Sequence, residues 1–240
     1  MKTMPSILRP GAIAVSLSLL ALAGCTWGFG GEEPSVTDMH RQLSRTVDIQ
    51  TGVVLGDLTR ARDAAAWLAT HEELQSFPEG SDHYRARMRG YAGLIAQANT
   101  LGEVAARTGQ MAAACGSCHQ ETRSGPRFVM RSQPPRGTEL GSQMVRHIWA
   151  ADRMWEGLVG PSDEAWQAGA EALEDAWLPV TVLSVGYGPR GEVDGMIGEI
   201  RSLAVRAQTA GDQEERARLY GEMLGTCSRC HGQGGVMVER

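Results

Sequence analysis

The 240-residue sequence is poor in aromatic residues, has no excess of positive charge and contains no long apolar run. Aromatic side chains make up only 5% of it, whereas alanine and glycine are abundant, which favours helices packed through small residues. The formal charge is −5, and removal of residues 1–24 with their two cations would take it to about −7. Nucleic acid is therefore not an expected partner. No alternating apolar pattern of useful length predicts a strand, so we expect an all-α fold.

Cysteine is also scarce, and its placement is informative. Four of the five cysteines fall in two copies of Cys-x-x-Cys-His, the signature of covalent c-type haem attachment. On a helix the two thiols can form thioethers with haem, while the histidine can serve as proximal iron ligand. Cys-x-x-Cys pairs also build zinc centres, but two copies with an attached histidine favour two haems. The predicted attachment residues are Cys115, Cys118 and His119 in one copy and Cys227, Cys230 and His231 in the other.

The fifth cysteine closes an N-terminal segment typical of export. Residues 1–24 have a basic start and an apolar run of about 12 residues, too short for a membrane span of roughly 20, and predict a signal peptide. The ending Leu-Ala-Gly-Cys resembles a bacterial lipobox, which implies that Cys25 is lipidated and anchors the exported chain on the periplasmic side of a membrane, the outer one where a cell has two. The alternative is a conventional signal peptide with an incidental cysteine. Residues 25–35 would form a flexible tether.

The sequence repeats itself. A shift of 112 residues superposes the two haem motifs and also Gly109 on Gly221, and a shift of 105 aligns Met39 with Met144. Self-similarity of this kind indicates two copies of one structural unit, each of about 90 residues.

Each copy is expected to be a bundle. The capping box of Thr100 with Glu103, the cap of Asp212 with Glu215 and apolar residues at three- and four-residue spacing predict four helices per copy, the last one carrying the haem motif. The predicted helices are about 36–55, 58–70, 82–98 and 100–119 in the first copy and 139–159, 163–177, 193–209 and 212–231 in the second. We therefore predict two tandem four-helix bundles, residues 36–123 and 138–240, joined by a proline-containing linker over 124–137.

A four-helix unit with Cys-x-x-Cys-His near its C-terminal end resembles the class II cytochromes c, the cytochrome c-prime family and its low-spin relatives. Class I cytochromes c carry the motif near the N-terminus and a ligand methionine far downstream, whereas only nine residues follow His231. The family often has a basic residue a few positions after the motif. Arg123 and Arg127 fit this in the first copy, and the second copy departs from it.

The resemblance also implies where a second axial ligand would lie. In the family the first helix crosses the haem face opposite the proximal histidine, and low-spin members supply a methionine from its start. Met39 and Met144 are the corresponding candidates, although methionines also fill core gaps. His147 lies one turn after Met144 and is the alternative ligand for the second haem, whereas its counterpart Gln42 cannot ligate iron strongly.

The expected function is electron transfer by a dihaem cytochrome c between exported or membrane-bound redox partner proteins. The alternative is a gas-binding or sensing protein with at least one five-coordinate haem, because high-spin family members bind nitric oxide or carbon monoxide. An enzyme such as a peroxidase is not expected, since no acid-base cluster stands out beyond His147. Family members often dimerise through their first two helices, so the two copies are expected to pack as an internal pseudo-dimer.

Overall fold

Helices are the only regular secondary structure in the part of the chain that the computed structural model describes, which confirms the all-α prediction. No helix in this part is long and apolar enough to cross a membrane. The predicted signal peptide, Cys25 and most of the tether lie outside it. The described residues are 34–71, 77–126, 128, 133–176, 178, 183 and 189–233.

Eight helices occur in these ranges, close to the positions that the sequence predicts. In chain order they are α1 Pro34–Leu55, α2 Leu58–Thr70, α3 Asp82–Ala96, α4 Leu101–Thr122, α5 Leu140–Val159, α6 Asp163–Glu174, α7 Arg190–Gln208 and α8 Gln213–Gln233.

Helix starts are fixed by side chains at equivalent positions of the repeat. Asp57 and Ser162, 105 residues apart, each accept a hydrogen bond from the backbone N–H three residues on, at 2.9 and 3.2 Å. Thr100 and Asp212, 112 residues apart, do the same for α4 and α8 at 3.2 and 2.8 Å. Thr100 forms the predicted capping box with Glu103. Such caps satisfy N–H groups that have no partner within the helix.

The two motif-bearing helices, α4 and α8, pack directly on each other through glycine. A Cβ on Gly109 would collide with the backbone carbonyl of Ala217, and one on Gly221 would lie 3.0 Å from the carbonyl oxygen of Ala105. Ala105 and Ala217 are themselves 112 residues apart. The contact is therefore reciprocal, as in a two-fold interface.

Helices α4 and α8 run antiparallel. Ala105, near the start of α4, lies beside Gly225 near the end of α8, while Gly116, near the end of α4, lies beside Gln213 at the start of α8. The two haem motifs consequently lie at opposite ends of this helix pair. With a rise of 1.5 Å per residue, the two motif histidines are about 30 Å apart along the helix axes.

The two copies share one core. Consecutive helices pack on each other within each copy, and in addition α1 packs on α8 and α5 on α4. One cluster of buried apolar side chains takes members from all eight helices. The division of the chain into two separate bundles, with its boundaries, therefore stays a prediction.

Candidate functional site

The first motif occupies the last turns of α4. Cys115 and Cys118 are one turn apart on the helix, are both partly exposed, and form no disulfide. Burial raises the pKa of the Cys115 thiol to about 12, and it raises the pKa of Cys118 as well. Both sulfurs are therefore neutral at physiological pH. A thioether, which is uncharged, suits these positions better than a thiolate.

The histidine of this motif is held by the other copy. His119 Nδ1 lies 2.8 Å from the backbone carbonyl oxygen of Val159, the last residue of α5. A carbonyl only accepts, so Nδ1 carries the proton and Nε2 keeps its lone pair. Burial lowers the pKa of His119, and the bond to Val159 partly opposes this. Histidines that ligate metals are oriented by the same kind of bond.

The segment that follows α4 packs against this histidine. A Cβ on Gly125 would collide with the Cβ and Cγ of His119. Phe128 lies against Gly160, where a Cβ would be 2.6 Å from the phenyl ring. The start of the predicted linker is therefore part of the first site, packed along the Nδ1 side of the imidazole.

A charged side chain lies near the first motif, and the candidate ligand Met39 has a charged neighbour. Arg85 in α3 lies within electrostatic reach of Cys118, since each changes the pKa of the other. On α1, the side chain of Asp38 is only 5% exposed, and one of its oxygens is 3.7 Å from His71 Nε2. Met39, next to Asp38, is partly buried. The role of Met39 as an iron ligand stays a prediction.

The second motif ends α8 in apolar surroundings. Cys227 packs on the main core, and burial raises the pKa of its thiol to about 12. Cys230 packs instead on a separate apolar cluster, hereafter the Leu178 cluster, which Met144 also contacts. Two of the predicted site residues thus pack on the same apolar cluster. The Leu178 cluster consists of Leu178, Leu183, Val193 and Met196.

His147, the alternative ligand, also lies at the second site. Burial lowers its pKa, a hydrogen bond to the Ala176 carbonyl raises it, and nearby His231 lowers it. His147 Nε2 and His231 Nδ1 are both buried and have no hydrogen-bond partner among the residues that the structure describes. In the first site the nitrogen equivalent to His231 Nδ1 is bonded, so the two sites differ at the motif histidine.

The end of α1 lies where the missing partner of His231 would be expected. Val54 is the repeat equivalent of Val159, and it lies two residues before Gly56, whose Cβ would be 3.9 Å from the Cα of Gly232. The cross-copy arrangement of the first site is thus present in outline at the second.

The two motifs were also compared with the ligand set of a zinc centre. Among the described residues, no group of three or more His, Cys, Asp and Glu side chains is placed to hold a metal ion, whereas structural zinc takes four such ligands. The first motif offers two thiols one turn apart and an oriented imidazole, and the second motif places Cys230 against an apolar cluster.

Comparison with protein-family models, with curated proteins and with solved structures found no match to this chain. The resemblance to class II cytochromes c therefore rests on the motifs and the helix order.

Sequence reasoning missed three contributors to the first site, namely the Val159 carbonyl, Gly125 and Arg85. No local pattern marks them, because each reaches the motif through tertiary packing. The repeat does align Val159 with Val54, but only the structure shows that these helix ends lie at the motif of the other copy.

Proposed function

We propose that this protein is an exported dihaem c-type cytochrome that transfers single electrons between redox partner proteins. The observation that supports this most is the first motif, where two neutral thiols lie one turn apart and His119 is held through Nδ1 with Nε2 left as a ligand. When bound, each haem would supply one-electron Fe(III)/Fe(II) chemistry.

The residues of the chain hold and tune these groups. Cys115 and Cys118 would form the two thioethers at the first site, with His119 as proximal ligand. The second motif would do the same at the end of α8. Met39 is the proposed second ligand of the first iron, and Met144 competes with His147 at the second. Axial ligands and the polarity of the surroundings set the reduction potential.

The antiparallel packing of α4 and α8 bears on how electrons would move. The halves would form an internal pseudo-dimer, joined mainly through the motif-bearing helices rather than through the first two helices of each copy. Electron tunnelling through protein falls steeply with distance, and the motifs are about 30 Å apart along the helices. We therefore expect each haem to exchange electrons with a partner docked at its own end.

The chain would be attached to a membrane through Cys25. Growth with a labelled fatty acid should label the wild-type protein and not Cys25→Ala, which should be released from membranes with its haem content unchanged. Label retained by Cys25→Ala would contradict lipidation at this residue without bearing on the haems.

The test of the proposed function is the absorption spectrum of the purified, dithionite-reduced protein before and after carbon monoxide. An electron carrier with two ligands on each iron should give sharp bands that the gas does not change. A shift with carbon monoxide would show an open iron and favour the gas-binding alternative. Absence of c-type haem bands after expression with the haem-attachment machinery would overturn both.

A further inference from the structure

His147 has one nitrogen that its surroundings leave without a partner. Its ring accounts for one hydrogen bond, to the carbonyl of Ala176, and Nε2 is the buried atom without a partner. The bond is therefore made by Nδ1, which donates. Nε2 then carries a lone pair that is removed from water and satisfied by nothing in the described structure. Burying such a group costs stability unless a partner is supplied.

The bond to Ala176 fixes the tautomer in which Nε2 can serve as a ligand. His119 shows the same arrangement, with Nδ1 on a backbone carbonyl and Nε2 left over. Fixing the tautomer and the ring orientation in this way is how proteins orient imidazoles that bind metals.

The position of His147 matches the second haem motif. It lies within electrostatic reach of His231, and Met144, one turn earlier on α5, contacts the same apolar cluster as Cys230. His147 therefore belongs to the site that Cys227 and Cys230 define.

Met144 is the other candidate for the second axial ligand. The two candidates differ in what burial costs their side chains. A thioether needs no hydrogen bond, so its packing on the Leu178 cluster accounts fully for Met144 as an apolar side chain. The lone pair of His147 Nε2 is not accounted for by packing.

Resting on the proposed function, we propose that His147 Nε2 is the second axial ligand of the haem attached at Cys227 and Cys230, on the face opposite His231. The second haem is then a bis-histidine, low-spin centre. In the first copy the equivalent position is Gln42, which cannot ligate iron strongly. Imidazole in place of thioether ligation lowers the reduction potential, so the second haem has a lower potential than a first haem ligated by Met39.

The test uses the intact dihaem protein in its oxidised form. Electron paramagnetic resonance and the near-infrared charge-transfer band distinguish bis-histidine from histidine-methionine ligation. The wild type should show one bis-histidine haem per chain. His147→Gln, which copies the first site, should lose that signal and bind carbon monoxide at one haem, whereas Met144→Leu should leave the signal unchanged.

A second variant distinguishes loss of the ligand from a folding defect. His147→Ala should lose the bis-histidine signal and regain it when imidazole is added. A wild type without the signal, or a His147→Gln protein that keeps it, would overturn the proposal, as would loss of the signal in Met144→Leu. These failures leave two attached haems visible in the spectrum, whereas failure of the proposed function leaves none.

Discussion

The two motif-bearing ends of the molecule share a scaffold and differ in chemistry. Helices α4 and α8 start at equivalent caps and cross at equivalent glycines. Arg85 reaches Cys118 at the first site, whereas its repeat equivalent is Ile197, which packs on the Leu178 cluster at the second. The repeat has thus kept the residues that position the two motifs and changed side chains that surround them.

Removing one pair of motif cysteines should have the largest effect. Cys115→Ala combined with Cys118→Ala should reduce the haem content, measured as pyridine haemochrome, from two per chain to one, because both thioethers of the first site are lost. The matching change at Cys227 and Cys230 should do the same and leave the other haem. Cys25→Ala is the control and should keep both. Two haems in either double variant would be inconsistent with attachment at these cysteines.

A methyl group added to either of the two equivalent glycines should destabilise the packing of α4 on α8. Gly109→Ala and Gly221→Ala each place a methyl group against a backbone carbonyl of the opposite helix, and we expect each to cost about 2–3 kcal/mol of unfolding free energy in urea. Gly90→Ala in α3 meets nothing within 4 Å. This control should gain up to about 1 kcal/mol, since alanine favours helix over glycine.

A stability gain in Gly109→Ala similar to that in Gly90→Ala would contradict the close approach of α4 and α8. If only one of the two variants, Gly109→Ala or Gly221→Ala, lost stability, this would contradict the reciprocal contact between the two helices.

Exchanging the charge at one equivalent position should bring the two haems closer in potential. Arg85→Ile removes a cation near Cys118, which favours the more positive oxidised iron and lowers the first potential by roughly 20–60 mV for a partly screened charge. Spectroelectrochemical titration would measure this. Arg87→Ile, at an exposed position on the same helix, is the matched control and should change it less. Equal shifts of the reduction potential in both variants would show that Arg85 is no closer to the first haem than Arg87.

Before haem attachment, acid should weaken the second end more than the first. Burial lowers the folded-state pKa of His119, His147 and His231, so the unfolded chain binds more protons and stability falls as the pH drops below about 6.5. Backbone bonds offset part of this at His119 and at His147, but the second end has two such histidines, and nearby His231 further lowers the pKa of His147. Hydrogen exchange of the haem-free protein at pH 7 and pH 5 should therefore increase more at the end of α8 than at the end of α4. The opposite order would contradict this difference.

Most helix positions could be predicted from the sequence because their signals are local. The Thr100 capping box and the Asp212 cap each mark a helix start within four residues of chain. The motif residues could be predicted for the same reason, because the Cys-x-x-Cys-His spacing is itself the signature of haem attachment. Pairing of α4 with α8 could not be predicted, although Gly109 and Gly221 aligned, because glycine on a helix does not reveal which helix approaches it. For the same reason the partner of His119 emerged only from the structure.

The most direct measurement of the central claim is the intact mass of the protein after expression with the haem-attachment machinery and full denaturation. We expect the mass of the processed chain plus two haems, with one haem retained when either pair of motif cysteines is replaced by alanine. A chain that carries no covalently attached haem under these conditions would contradict it.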